Sequence, residues 1–146
     1  MKIDISVNEA AEDLVISITC RQLTPDIERM IATLRMMNHQ LTAKKDGEIH
    51  RVDIAQVLYM ESVDRKCFIY TDCEVYESDF KLYELERQLE GNGFLRVSKS
   101  FLIHLQKIQS LKADINRKIR ITMSNGEQIM ASGQYAEELK RRLGVI

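Results

Sequence analysis

Phe94-Leu95-Arg96-Val97-Ser98-Lys99-Ser100-Phe101-Leu102-Ile103-His104-Leu105-Gln106-Lys107-Ile108 is the most informative stretch of this 146-residue chain. It reads as two short apolar strands, around 94–97 and 101–105, with Arg96, Lys99 and Lys107 set into it and a small hydroxyl on either side of Lys99. It also opens a basic C-terminal third: residues 94–146 carry ten Lys/Arg against four Asp/Glu, a net of +6. Residues 41–93 carry seven against twelve, a net of −5, and residues 1–40 four against six, a net of −2. The total of −1 therefore hides a polarised chain. Such asymmetry points to a polyanionic partner for the basic part. The bland rival is a solvated surface that balances the acidic middle.

The chain is long enough to bury a core as one domain with a small appendage. Its apolar runs are far too short to span a bilayer. The N-terminus alternates acidic and apolar residues and does not resemble a basic, apolar leader. Cys20, Cys67 and Cys73 form no CxxC pair and fit the reducing cytoplasm. His39, His50 and His104 lack metal-ligand spacing, so no metal or other cofactor is expected. There is no P-loop, GxGxxG or nucleophile elbow, and the chain reads as a non-enzyme. Ser98-Lys99-Ser100 is the near-miss, since Ser/Lys pairs can catalyse acyl transfer. Adjacent strand residues point to opposite faces, so Ser and Lys would not converge there.

Residues 2–7 and 14–20 alternate as strands, with Ile3, Ile5 and Val7 on one face and Leu14, Ile16, Ile18 and Cys20 on another. Thr24-Pro25-Asp26 signals a helix start, and Ile27, Met30, Ile31, Leu34 and Met37 form its stripe. The expectation is a β-β-α unit over 1–38, its helix covering the hairpin. A main domain over 39–146 follows. Lys45-Asp46-Gly47 is a turn signal. Val57-Leu58-Tyr59-Met60 is a continuous apolar run, expected as a buried strand, and Cys67-Phe68-Ile69-Tyr70 is the next. Ser78 or Asp79 is the expected cap of a short helix with Leu82, Leu85 and Leu89 inward, stopped by Gly91 and Gly93. Ile119, Ile121 and Met123 alternate, Asn125-Gly126 is a hairpin signal, and Tyr135, Leu139 and Leu143 mark a last helix.

From about 41 to 143 this order of elements resembles the LytTR DNA-binding domain family. Ile54-Ala55-Gln56-Val57-Leu58-Tyr59-Met60-Glu61-Ser62 is similar to the family's "dI-yiEs" strand, and Leu82–Leu89 to its short "sLkeLe--L" helix. Phe94–His104 is similar to its signature "F-RiHRSyiVN". Ser98 stands where the family often has His, and His104 where it usually has Asn. Gly133-Gln134 stand where an Arg commonly follows Ser132. The resemblance implies a mainly β fold: an elongated antiparallel LytTR-type domain with short helices. It also implies DNA binding through loops that enter successive major grooves, at targets that are usually paired direct repeats.

Carried over by position, the loops are those around Asp64, Arg65, Lys66 and Cys67, at Ser98 and Lys99, and at Gly133 and Gln134. Lys and Arg there can meet phosphates or the O6/N7 edge of guanine, and Gln134 can read adenine or touch a phosphate. The candidate DNA-binding residues are Arg65, Lys66, Arg96, Ser98, Lys99 and Gln134. Each has a structural rival. Arg65 and Lys66 can be a solvated turn, and Lys99 a plain strand-end lysine. Arg96 can pair with an acid of the middle segment. His104 reads as a core histidine bonded to backbone, and Lys140, Arg141 and Arg142 suit the last turn of their helix through its dipole.

The leading reading is a bacterial transcription regulator, cytoplasmic, that binds double-stranded promoter DNA, with residues 1–38 mediating a homodimer; the rival is a helix packed back on its own domain and a monomer until DNA assembles it. The resemblance to short stand-alone members implies a further partner, a small membrane protein that holds the regulator inactive. The alternative is an RNA-binding or protein-interaction module using Phe68, Tyr70 and Tyr76, whose rival explanation is cross-strand packing.

Overall fold

Val57, Leu58, Tyr59 and Met60 are each no more than 4% exposed. They open the central strand β3 (Val57–Val63) in the computed structural model, which describes residues 1–37 and 40–144. A strand buried on both faces needs apolar residues in succession, not in alternation. Here a bulge helps. The pairing with β4 (Lys66–Thr71) jumps from Val57↔Thr71 to Tyr59↔Tyr70, so Leu58 is an extra residue. Consecutive Leu58 and Tyr59 thus join one core, while Val57 and Met60 join the other.

The remaining strands of the large sheet are β1 (Gln40–Lys45), β2 (Glu48–Asp53), β5 (Val75–Ser78), β6 (Phe94–Arg96) and β7 (Phe101–His104). All its neighbours are antiparallel, in the order β2-β1-β5-β4-β3-β7-β6. Helix α1 (Pro25–Met37) and helix α2 (Leu82–Gln88) belong to one face, where Leu41, Met60, Ile69, Leu82, Leu85 and Leu89 pack together. The other face meets a three-stranded sheet, β10-β9-β8, made of β8 (Ile108–Ala113), β9 (Ile119–Met123) and β10 (Gln128–Ala131). Leu58, Val97 and Ile103 pack there against Ile121, Met123, Ile129 and Leu139, the last from helix α3 (Gly133–Leu143). The Asn125 side-chain amide donates to the Tyr59 hydroxyl at 3.3 Å, pinning the β9–β10 turn to the central strand. The fold is mainly antiparallel β with three short helices, as the sequence led us to expect.

The N-terminal part differs from expectation. The helix starts where Thr24-Pro25 places it, with the Thr24 hydroxyl accepting the Ile27 N–H at 3.3 Å. The strands expected over 2–7 and 14–20 do not form. Only the turn between them is built, with Ala11 N–H donating to the Asn8 carbonyl. A two-stranded ribbon is marginal in water without a surface to cover it. That surface is absent because α1 packs on the main domain instead: Arg35 donates to Thr42 at 2.8 Å and Arg29 lies 3.7 Å from Glu84. Asn38 and His39, where the expected boundary between the two units falls, lie outside the described residues, as do Val145 and Ile146. The α2 cap also shifts. Neither Ser78 nor Asp79 caps it; Glu84 accepts the Lys81 N–H at 3.1 Å, one turn inside the helix.

Candidate nucleic-acid interface

Two candidate loops stand side by side at one end of the large sheet. The first is the tight turn from β3 to β4, where Val63 pairs with Lys66 and Asp64 and Arg65 form the tip. Both tip residues are left-handed, at φ 50° and 67°. Side chains alternate along β4, so Lys66 faces solvent while Cys67 is buried. Burial pushes the Cys67 thiol up to about 12, which disfavours the thiolate. The second loop joins β6 to β7 and lies beside the first at the end of the β3–β7 ladder, which the Ser62 N–H to Ser100 O bond at 2.8 Å extends. Arg65, Lys66 and Lys99 are exposed and have no ion-pair partner among the described residues. Asp64 is the acid of these two loops.

Inside the second loop, Ser98 and Arg96 are occupied with building it. The Ser98 hydroxyl oxygen accepts the N–H of Ser100 at 3.2 Å and of Phe101 at 3.1 Å, a local turn. The Arg96 guanidinium donates to the Ser98 carbonyl at 2.8 Å, to the Lys99 carbonyl, and to Glu86 at 3.2 Å. The side chain is only 18% exposed. Arg96 therefore sits behind the loop and Lys99 in front of it.

The third loop is on the small sheet. Ser132 caps α3 through its backbone: its carbonyl oxygen accepts the Tyr135 N–H at 3.1 Å. Gly133 is left-handed at φ 56° and exposed. Gln134 is exposed and makes no side-chain hydrogen bond among the described residues. No hydrogen bond among the described residues links it to the first two loops, so the contacts join two loops and leave the third on its own element. At the other end of α3, Arg141 is held by Glu138 at 2.6 Å and Lys140 lies 3.8 Å from Glu137, which favours their structural reading.

His104 takes the role expected of it. It is buried, Nδ1 lies 2.9 Å from the Val57 carbonyl oxygen, and the ring stacks on Phe94 at 4.5 Å between centroids. Nδ1 must carry the proton, because a carbonyl only accepts. The aromatics pack as well: Tyr70 stacks on Tyr59 at 4.7 Å and donates its hydroxyl to Glu61 at 3.0 Å.

The model of the LytTr DNA-binding domain matches residues 47–144 of this chain. The chain belongs to that family. A solved relative in fold is the LytTr DNA-binding domain of a Bacillus cereus protein named as a methyl-accepting/DNA response regulator. It is 25% identical, superposes with a TM-score of 0.69, and the match covers 73% of this chain and 97% of that one. An uncharacterized HTH-type transcriptional regulator of Staphylococcus aureus strain NCTC 8325 is 24% identical over 99% of both chains. A relative of the same description from the bovine strain RF122 is 25% identical over the same shares. In the present chain each helix is separated from the next by strands, so among the described residues no helix–turn–helix is formed.

Proposed function

We propose that this protein is a sequence-specific transcription regulator that grips promoter duplex DNA with Arg65, Lys66 and Lys99, and with Gln134 as a further contact. The observation that carries the reading is the Ser62–Ser100 bond, which gathers three exposed cations, without an ion-pair partner among the described residues, onto one end of a domain of a DNA-binding family. Arg96 and Ser98 serve as the frame that presents Lys99. The family resemblance supports paired direct repeats as the target, a homodimer as the bound form, and a small membrane protein as a partner. The exposed apolar residues of 1–23 support self-association there. The reading places the protein in the bacterial cytoplasm, with its DNA, and makes it a binding module, not an enzyme. The packed Tyr59–Tyr70 pair gives little support to an RNA-stacking module.

The test is equilibrium binding to duplexes selected by the protein from a randomised pool, titrated with salt. Neutralising about five phosphates predicts a slope of log K on log salt near −4 to −5. A slope near zero, or no enrichment of any duplex at low salt, overturns the reading.

A further inference from the structure

The large sheet's DNA tip has a twin. Asp64-Arg65-Lys66 and Asn116-Arg117-Lys118 share a pattern: a short acid or its amide, then Arg, then Lys. They share a conformation too. Asn116 and Arg117 lie at φ 58° and 61°, beside 50° and 67° for Asp64 and Arg65. Both pairs are the central residues of tight turns: Val63 pairs with Lys66 around the first, and Lys118 N–H donates to the Ile115 carbonyl at 3.3 Å around the second, inside the five-residue connection from β8 to β9. Such turns demand left-handed residues and favour glycine at the second place. Elsewhere the chain uses it: Gly47 at φ 77° in the β1–β2 turn and Gly126 at φ 87° in the β9–β10 turn. Asn and Asp tolerate the left-handed region, but an Arg held there costs stability without helping the turn. Strain of this kind, repeated with the same residue, points to what the side chain does outside the fold.

The surroundings agree. Arg117 and Lys118 are exposed, and neither has an ion-pair partner among the described residues. Asp114, the acid of this turn, is already held by Arg120 at 2.9 Å and by the Ile115 N–H at 2.8 Å. Register places the tip next to the third loop: Ile119 pairs with Ala113 on one side and with Ala131 on the other, and Ser132-Gly133-Gln134 follow Ala131 directly. Gly133 and Gln134 bring no charge to that end of the small sheet. The cations there are on the neighbouring turn.

We propose that Asn116-Arg117-Lys118 is a second phosphate-gripping tip, the small sheet's counterpart of Asp64-Arg65-Lys66, and that it holds the duplex backbone beside the third loop. This rests on the DNA-binding reading above. The experiment measures fluorescence anisotropy of the full chain on two probes, a duplex selected from a randomised pool and an unrelated duplex of the same length, over a range of KCl. Arg117→Gly and Lys118→Gln are compared with Arg65→Gly. Each is expected to weaken binding roughly up to tenfold near 0.1 M salt, and equally on both probes, with the salt slope reduced by about one. Melting of Arg117→Gly should be unchanged or higher, since glycine relieves the left-handed backbone; a lower melting point hands the decision to Lys118→Gln, which lies outside the strained pair. Wild-type affinity and slope in both small-sheet variants, with Arg65→Gly weakened, overturns the second tip and leaves the first standing. A wild-type chain that binds neither probe overturns the functional reading and the second tip with it.

Discussion

The Ser62 amide donates to the Ser100 carbonyl oxygen at 2.8 Å, and with the β3–β7 ladder that bond sets the β3–β4 turn beside the β6–β7 loop. Arg65 and Lys99, 34 positions apart in sequence, are thereby exposed on adjacent loops. Lys99→Ala and Arg65→Ala should each weaken duplex binding while changing fold stability by less than about 0.5 kcal/mol, because both side chains are exposed and have no ion-pair partner among the described residues. If Lys99 reads a base, its loss should cost about 1–3 kcal/mol and relax one position of the target. Anisotropy on selected and scrambled duplexes separates that from an even loss. Wild-type binding by both variants would move the DNA face elsewhere.

Arg96 should behave differently from Lys99. Its guanidinium ties the carbonyls of Ser98 and Lys99 to Glu86, so its removal loosens the loop instead of deleting a phosphate contact. Arg96→Ala is expected to cost about 1–2 kcal/mol of stability, as charge-assisted hydrogen bonds do. DNA affinity should fall with the salt slope unchanged, whereas Lys99→Ala on a phosphate should lower the slope by about one. Arg96→Lys should not rescue, since one ammonium cannot span three acceptors in a planar fork. A reduced slope in Arg96→Ala would make Arg96 a contact after all.

Burial holds His104 below its ordinary value near 6.5, against the opposing pull of the Val57 carbonyl. The sign follows from proton uptake. As pH falls below about 6.5, the unfolded chain takes a proton that the folded chain refuses, so stability drops. Above that pH the contribution is flat. Urea unfolding between pH 7.5 and 5 should show the loss. His104→Asn should remove this pH dependence, because an amide can still donate to the Val57 carbonyl without titrating. The same variant should lose about 0.5–1.5 kcal/mol of Phe94 stacking at neutral pH. An unchanged pH profile in His104→Asn would show that another group carries the acid sensitivity.

Much of this fold was legible because its central strand is extreme. Four apolar residues in a row at 57–60 admit a doubly buried strand, and the Phe94–His104 pattern aligns two more beside it. The α1 start at Thr24-Pro25 and the Asn125-Gly126 turn were equally readable, since each is a local signal. Strands β2 and β8 were not anticipated. Only Val52 is buried in Glu48–Asp53 and no residue of Ile108–Ala113 is, so neither strand carries an alternating apolar pattern. At the site, residue types were legible but their neighbours were not. Nothing local tells that Arg96 turns inward to two carbonyls, or that Arg117 adopts the same backbone as Arg65. The repeated Asp/Asn-Arg-Lys triplet was the available clue to the latter. The missing N-terminal strands are the reverse case: the alternation is real, but among the described residues no surface covers its apolar face.

That surface makes the last prediction. Ile5 is 85% and Val7 91% exposed, and Leu14, Val15 and Ile16 are exposed with them. A monomer seldom leaves so many apolar side chains together in water. Residues 1–24 contribute nothing to either buried core, so a chain lacking residues 1–23 should melt within a degree or two of the full chain. Helix α1 stays in that chain because it is anchored by Thr42 and Glu84. The full chain should sediment as a dimer at tens of micromolar, through the same patch on each copy, and the shortened chain as a monomer. Ile5→Asp with Ile16→Asp should dissociate the full chain, since each buried carboxylate would lack a partner. The N-terminal segment is net acidic and disfavours approach to phosphate. Removing it should therefore leave affinity for a single repeat intact and abolish cooperative occupancy of two. Monomeric sedimentation of the intact chain on its own, or cooperative binding that survives the deletion, would put the dimer contact elsewhere.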